Sequence, residues 1–259
     1  MEKPFLSIIT INYNNLEGLK KTVESVLSQA FGNFEYIIVD GASTDGSVAY
    51  LESMAQQFSS LTIAPDEGIY DAMNKGIAKA TGEYLLFLNS GDALNGDMAI
   101  NEFTNHKDFG GDIIYGDYLF DKGHKKYPDR LYPAYFMKTS LPHQSTFFKA
   151  EVFQKMGGYD LQFPMGADRA FYIKAYLSGL FEFRHVAVFL SKFDLSGISN
   201  DPEYKKRKEE EDERLLRHCY GDKYEEMKAV IEAEKEAARI PKYSPEGIWK
   251  RIKKRLRDL

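Results

Sequence analysis

Residues 36–47, YIIVDGASTDGS, decide the fold of this chain. An apolar run ends at Asp40, a loop rich in Gly, Ser and Asp follows, and a helical pattern runs from Ser47 to Phe58. A short apolar run bounded by turn residues is typical of a strand buried on both faces. Strand, loop and helix recur at 5–28 and 61–80. The sequence therefore predicts an α/β fold with a mostly parallel central sheet, whose ligands bind beyond the carboxyl ends of the strands.

The rest of the chain has a different organisation. The strand at 84–88 completes the alternating part, and after Asp92 strand and helix patterns follow without regular alternation, at 112–120, 145–148, 167–178 and 183–190. From Pro202 onward Lys, Arg and Glu dominate, which predicts three helices outside the sheet. We therefore expect two parts, an α/β domain at 1–200 and a charged helical tail at 201–259.

Composition excludes several classes of protein. Of the 259 residues, 43% are hydrophobic and 28% charged, which is ordinary for a soluble globular protein. The formal charge of -5 gives no general attraction to nucleic acid, so we expect no such partner. The lone Cys219 favours the reducing cytoplasm. The N-terminal apolar run is too short for a membrane span and lacks a signal cleavage site, so we expect the mature protein to start there and any membrane contact to be peripheral.

Two acidic loops are predicted at strand ends, at Asp40 and at Asp92. One carboxylate there can accept the N–H of a nucleotide base, while another holds a divalent cation against a diphosphate. The alternative is ordinary turn chemistry, because Asp and Gly are the common residues of such loops.

A series of motifs occurs in a fixed order along the chain. These are SIITINYN (7–14), IIVDGASTDGS (37–47), NKGI (74–77), ATGEY (80–84), FLNSGD (87–92), GGYD (157–160) and AD (167–168). Together they resemble family 2 glycosyltransferases of the GT-A fold, over about residues 5–199. The strings DEGIYDAMNKG (66–76) and LNSGD (88–92) resemble the branch that builds bacterial exopolysaccharides such as colanic acid.

This resemblance implies an inverting transfer of a sugar from a nucleotide-diphosphate sugar to a glycan or lipid-linked saccharide, in the synthesis of a bacterial surface polysaccharide. It also implies that the turn at 10–12 lies against the base and that Asp40 accepts a hydrogen bond from it, with uridine and guanosine both open. The donor-binding residues implied in this way are Thr10, Ile11, Asn12, Asp40, Asn74, Asn89 and Ser90.

The metal motif of that family is altered here. Asn89-Ser90-Gly91-Asp92 stands where an Asp-x-Asp-Asp string is usual, so only Asp92 keeps a charge. One carboxylate with donor phosphates and water can still complete the shell of Mg²⁺ or Mn²⁺, and we expect that cofactor to bind weakly without donor. Met73 replaces a usual Arg, which leaves Lys75 or another cation to offset the phosphate charge.

Asp168 is the predicted general base, by its match to the second acidic residue of a Glu-Asp motif in which Ala167 replaces Glu. The competing explanation is a helix cap, since Asp is a preferred capping residue. His143 and Gln144, in a His-Gln-Ser string of the same branch, and Asp117 are candidate contacts of the acceptor or the phosphates. The loop at 196–199 is a further candidate for backbone contact with the diphosphate.

Two other functions stay open from the sequence. The lost acidic residues fit a nucleotide-sugar-binding protein that no longer transfers. A nucleotidyltransferase also uses a parallel sheet and a metal, but the loop at 12–15 has neither the glycines nor the cation typical of that class.

The C-terminal segment has the pattern of a basic amphipathic helix. Its apolar positions are Ile248, Trp249, Ile252, Leu256 and Leu259, and Lys and Arg fill most others. Such a helix binds an anionic membrane surface on the cytoplasmic side, or packs on the catalytic domain or on a second subunit. The residues at 203–239 carry both charges in abundance and are interpreted as a solvated spacer.

Overall fold

The computed structural model describes residues 3–194 and 202–239, and the side chains of 202–205 are not described. These residues form a nine-stranded sheet in the order β3-β2-β1-β4-β8-β6-β9-β5, with β7 paired to β6. The strands are β1 (Leu6–Asn12), β2 (Phe34–Asp40), β3 (Ser60–Ile63), β4 (Tyr84–Phe87), β5 (Ala93–Leu94), β6 (Ile113–Phe120), β7 (Gly123–Lys125), β8 (Thr146–Lys149) and β9 (Phe183–Lys192).

Most of the paired residues in the sheet belong to parallel strand pairs, as predicted. Strands β3, β2, β1 and β4 are parallel neighbours, and β6 is parallel to β9. Antiparallel pairs join β8 to β4 and β6, β5 to β9, and β7 to β6. In the β1–β2 register Asn12 lies opposite Asp40, so both polar residues reach the carboxyl edge together. The α/β fold class is confirmed.

Eight α-helices are described. They are α1 (Leu16–Leu27), α2 (Ser47–Ser53), α3 (Ile69–Ile77), α4 (Ala99–Thr104), α5 (Ala150–Met156), α6 (Ala167–Ser178), α7 (Pro202–Tyr220) and α8 (Tyr224–Arg239). The helix expected at 47–58 is interrupted, because the N–H of Met54 bonds the carbonyl of Leu51 with the tighter 3₁₀ spacing.

Both faces of the sheet are buried. Ile8 of β1 belongs to a cluster with α1 and α4, whereas its neighbour Ile9 belongs to a cluster with α3 and α6. Both side chains are fully buried. Successive residues of a strand point to opposite faces, so a strand between two helical layers needs apolar residues throughout.

Helices α7 and α8 are part of the same core. Their apolar residues pack in the cluster that contains α6, namely Leu215, Leu216, Tyr220, Tyr224, Met227 and Ile231. The hydroxyl of Tyr220 donates to the carbonyl of Pro133 at 2.6 Å. The interpretation of 203–239 as a solvated spacer is therefore wrong, because an apolar stripe at helical spacing lies among its charges.

Within 3–194 and 202–239, no helix combines the length and apolar character needed to cross a membrane. The predicted basic helix at 248–259 and the loop at 196–199 lie outside the described residues.

Candidate functional site

Asp40, at the end of β2, organises the first loops of the site. Its Oδ2 accepts hydrogen bonds from Asn12 Nδ2 at 2.7 Å and from the hydroxyl of Ser43 at 2.9 Å. Its Oδ1 accepts the backbone N–H of Ser43 at 2.7 Å. Asp40 is fully buried. These three hydrogen bonds fix the conformation of the loop. The predicted hydrogen bond from a base would be a fourth one to the same carboxylate.

The loops that follow β1 and β2 are bonded to each other. Asn14 has a positive φ of 48°, and its Oδ1 accepts the N–H of Thr44 at 2.8 Å. Asp45 accepts the N–H of Leu16 at 2.8 Å, which joins the second loop to the start of α1. Such side-chain hydrogen bonds take the place of helix and sheet hydrogen bonds, and they give the surface formed by these two loops a defined conformation.

An aromatic ring and a carboxylate converge on a glycine of this surface. A Cβ at Gly41 would lie 2.6 Å from Asp66 Oδ2 and 3.0 Å from Tyr13 Cδ2. Tyr13 is 67% exposed. A ring face stacks on planar bases and a carboxylate accepts their N–H groups. Sequence reasoning missed Tyr13 and Asp66, although an aromatic residue directly after Asn12 was the available signal.

Thr10 and Ile11 have a different environment from the one expected. Thr10 is fully buried and donates to the carbonyl of Leu88 at 2.8 Å, with the Tyr36 hydroxyl 3.0 Å away. The Ile11 side chain belongs to the hydrophobic core. Thr10 and Ile11 can therefore contact a nucleotide sugar only through their backbone. Of residues 10–12, only Asn12 has its side chain at the edge of the sheet.

Ser90 and Asp92 are held from several directions. The amide of Asn15, which caps α1, donates to the carbonyl of Ser90 at 3.1 Å, and the Thr22 hydroxyl donates to the carbonyl of Asp92 at 2.6 Å. The Asp92 carboxylate is buried and accepts the N–H of Asp194 at 3.0 Å.

Burial raises the pKa of Asp92 to about 6. The charge of His143 and the N–H of Asp194 oppose this rise, whereas the carboxylate of Asp194 adds to it. A buried carboxylate with a second carboxylate nearby is stabilised in its ionised form by a cation.

The oxygen donors near Asp92 fit a divalent cation that is shared with a ligand. Asp194 follows β9, and its Oδ2 lies 2.7 Å from where a Cβ at Gly91 would be, so the altered motif leaves room for this carboxylate. Among the residues that the structure describes, no group of three or more His, Cys, Asp or Glu side chains could hold a metal ion alone. Magnesium commonly takes one or two carboxylates and completes its shell with phosphate and water. Sequence reasoning missed Asp194, which is 102 residues from Asp92.

Asp168 lies in the first turn of α6 with its side chain 18% exposed. Its Oδ1 accepts the Tyr70 hydroxyl at 2.8 Å and the N–H of Arg169 at 2.7 Å. Burial alone would raise the pKa of Asp168, but the contacts with His143, Tyr70 and Arg169 together hold that pKa below its ordinary value. The helix cap is Gly166, so Asp168 is not the capping residue, although it does bind one N–H of the first turn.

His143 connects Asp168 to the end of β4. Its Nε2 is 3.2 Å from the amide nitrogen of Asn89, and its Nδ1 is 3.7 Å from Asp168 Oδ2. The ring of His143 therefore lies between the amide of Asn89 and the carboxylate of Asp168. The structure thus brings together three of the predicted residues, Asn89, His143 and Asp168, and adds Tyr70, which sequence reasoning missed.

Asn74 is bonded to the backbone rather than directed at a ligand. Its amide bonds both the N–H and the carbonyl of Tyr159, at 2.7 and 2.9 Å. A Cβ at Gly158 would lie 2.4 Å from Asn74 Oδ1, so this contact requires glycine there. Lys75 pairs with Asp71 at 2.8 Å and donates to a backbone carbonyl, which ties it to its own helix and the loop before it.

Asp117 and Gln144 are also placed in the interior. Asp117 Oδ1 accepts the N–H of Tyr127 at 2.9 Å and lies 3.0 Å from His185 Nε2. Gln144 is 3% exposed in a 3₁₀ turn. These contacts give Asp117 a structural role in joining β6 to β9 and to the segment after β7.

Known proteins resemble this chain in sequence and in fold. The model of Glycosyl transferase family 2 matches residues 7–172. An uncharacterized glycosyltransferase of Mycobacterium tuberculosis is 37% identical over 214 residues, which are 77% of this chain and 79% of that protein.

Two solved structures share the fold. S. aureus TarS 1-349 in complex with UDP-GlcNAc has a TM-score of 0.62 at 16% identity, over 83% of this chain and 65% of that one. The mannosyltransferase PcManGT from Pyrobaculum calidifontis, in complex with GDP-Man and Mn²⁺, has a TM-score of 0.55 at 14% identity, over 96% of this chain and 83% of that one. This chain spans about two thirds of the length of the TarS structure.

Proposed function

The chain belongs to glycosyl transferase family 2, and we propose that it transfers a sugar, with inversion, from a nucleoside-diphosphate sugar to a saccharide or lipid-linked saccharide acceptor. The observation that carries this proposal is the environment of Asp168. An ionised carboxylate, held by Tyr70 and facing His143, lies beside the strand ends where a donor would bind. We further propose that the product is part of a bacterial surface polysaccharide, because the motifs at 66–76 and 88–92 resemble those of enzymes that build such polymers.

The donor base is assigned to the recess at Gly41. The exposed ring of Tyr13 offers a stacking face, and Asp66 offers an acceptor for an imide or amide N–H. Uridine and guanosine both carry such a group. TarS was solved with UDP-GlcNAc and PcManGT with GDP-Man, so the shared fold accommodates either base.

Asp168 is assigned the base that removes the proton of the acceptor hydroxyl. The acceptor oxygen then forms a bond to the anomeric carbon as the bond to the diphosphate breaks on the opposite face, which inverts the configuration. Because the pKa of Asp168 is lowered, the carboxylate is ionised at neutral pH. The contacts with His143 and Tyr70 fix the orientation of this carboxylate.

Asp92 and Asp194 are assigned to a divalent cation, Mg²⁺ or Mn²⁺. The cation would neutralise charge on the departing diphosphate. The raised pKa of Asp92 supports this assignment, since a nearby cation removes the penalty of burying that carboxylate.

The proposed place of action is the cytoplasmic face of a membrane. The basic segment at 248–259 would bind anionic headgroups, which would bring the domain at 1–200 to lipid-linked acceptors.

A two-stage experiment tests the function. Thermal shift with UDP-sugars and GDP-sugars, in Mn²⁺ and in chelator, identifies the donor, because a bound ligand raises the melting temperature. Transfer to a panel of saccharide acceptors follows, with the anomeric configuration of the product read by NMR. We expect one donor class to stabilise the protein and a product of inverted configuration. Binding with no turnover on any acceptor would favour a binding protein that has lost transfer.

A further inference from the structure

We propose that α7 positions Asp168 through contacts of Glu211, Asp212 and Leu215 with residues 165–169, which we call the α7 clamp. This inference rests on the proposed function, because it concerns the residue assigned as the base. Glu211 and Asp212 are positioning residues, since they bind the turn and Arg169 rather than the Asp168 carboxylate.

The first part of the α7 clamp is at the start of α6. Gly166 caps this helix without a side-chain hydrogen bond. Glu211 Oε1 accepts the N–H of Met165, the residue before the cap, at 3.0 Å, so α7 holds the turn that leads into α6. A carboxylate at a helix N-terminus is also favoured by the helix dipole. Leu215 packs where a Cβ at Gly166 would be, with its Cδ1 2.7 Å from that point.

The second part is the side chain of Arg169. Its Nη1 donates to Asp212 Oδ2 at 2.8 Å, and its Nε and Nη2 donate to the carbonyl of Phe136 at 2.8 and 2.6 Å. Arg169 is 7% exposed. A guanidinium bonded on both sides is rigid, and bonds that involve a charged group are the stronger kind.

These two contacts control the carboxylate through the backbone. The N–H of Arg169 donates to Asp168 Oδ1, and the same oxygen accepts the Tyr70 hydroxyl from α3. The Tyr70 bond requires the first turn of α6 to keep its position relative to α3, whereas the Arg169 bond lies within that turn. A displacement of about 1 Å at a reacting group can cost about 10²-fold in rate. Loss of the α7 clamp should therefore lower the rate of transfer while the donor site at β1 and β2 stays intact.

The experiment compares four variants of the full chain. Glu211→Ala and Asp212→Ala each remove one contact, and Glu211→Gln keeps a side-chain oxygen that can accept the Met165 N–H. Glu213→Ala is the matched control, because Glu213 is an exposed neighbour on α7 that pairs with Arg217 of the same helix. Alanine is the best helix former, so each change preserves α7.

We expect kcat to fall about 10- to 100-fold in Glu211→Ala and Asp212→Ala. Donor affinity, measured by calorimetry and expressed per binding-competent protein, should change less than twofold. The acidic limb of the kcat/KM profile should move to higher pH, because a shifted first turn of α6 weakens the hydrogen bond from Tyr70 to Asp168. Glu211→Gln should recover most of kcat, and Glu213→Ala should match the wild type. Equal kcat and equal pH profiles in all four variants would overturn the proposal, as would a fall in donor affinity that matches the fall in kcat.

Amide hydrogen exchange separates this inference from the proposed function. Loss of protection confined to 165–170 in Glu211→Ala and Asp212→Ala is expected whether or not a transfer assay exists. Unchanged protection there would overturn the α7 clamp, whereas an inactive wild type with the expected exchange pattern would overturn only the proposed function.

Discussion

Tyr70 of α3 donates its hydroxyl to Oδ1 of Asp168 on α6 at 2.8 Å, across 98 residues of sequence. This bond stabilises the ionised carboxylate and is one reason that the pKa of Asp168 is lowered. The side chain of Tyr70 is buried, so the bond is protected from competition with water. The pKa of the candidate base thus depends on Tyr70, a residue that no local sequence motif connects to Asp168.

Tyr70→Phe should move the acidic limb of the kcat/KM profile to higher pH. Loss of the hydrogen bond from Tyr70 raises the pKa of the Asp168 carboxylate, so this base becomes protonated at a higher pH than in the wild type. The ring that packs against Tyr159 is kept. Steady-state rates across the acidic range provide the measurement, and an acidic limb that stays where it is in the wild type would contradict the role of Tyr70.

Asp168→Asn should lower transfer by about 10²- to 10⁴-fold, the usual contribution of a general base. The amide has nearly the same shape but cannot take a proton from the acceptor. Binding of the nucleotide-sugar donor, measured by thermal shift, should be retained and serves as the control. Full activity in this variant would remove Asp168 from the mechanism.

Asp92→Asn should stabilise the protein at high pH when metal is absent. Because burial raises the pKa of Asp92 to about 6, the folded protein holds this proton more tightly than the unfolded chain. The associated stability is complete below the unfolded pKa and is lost as pH rises through 6. Denaturant unfolding in chelator should show an advantage for the variant of about 1–3 kcal/mol at pH 8, shrinking toward pH 4. In the presence of the nucleotide-sugar donor, added Mn²⁺ should stabilise the wild type further and not the variant; an equal further stabilisation of both would exclude Asp92 as a ligand.

A chain that ends at Ser244 should lose binding to anionic vesicles and keep transfer to a water-soluble acceptor. The truncation removes the basic apolar pattern at 248–259 and leaves α7 and α8 in place. Co-sedimentation of the intact protein should weaken as salt screens its cations. If the intact protein never binds vesicles and the truncated one dissociates or unfolds, the segment packs on protein instead.

The sequence predicted what local patterns encode. Strands β1 and β2 and their loops follow from apolar runs that end in Asn12 and Asp40, and parallel pairing places those ends side by side. Tyr70 and Asp194 were missed because their partners are about a hundred residues away. Asn74 and Asp117 were assigned to ligands because a motif shows which residues are polar, whereas only the fold shows that backbone groups already bind them. The segment of α7 and α8 was interpreted as solvated because charged residues dominate it, although apolar residues recur there at helical spacing.

The packing of α7 and α8 against α6 has a consequence for recombining this enzyme with its relatives. A chimera joined near residue 200 would pair one protein's α6 with another's α7, and the stripe at Leu215, Leu216 and Tyr220 would meet a surface that did not evolve with it. Exchanges of membrane affinity are better joined after 239, where the described helices end. The part of this protein that has to be exchanged as one unit is therefore the sheet together with α7 and α8.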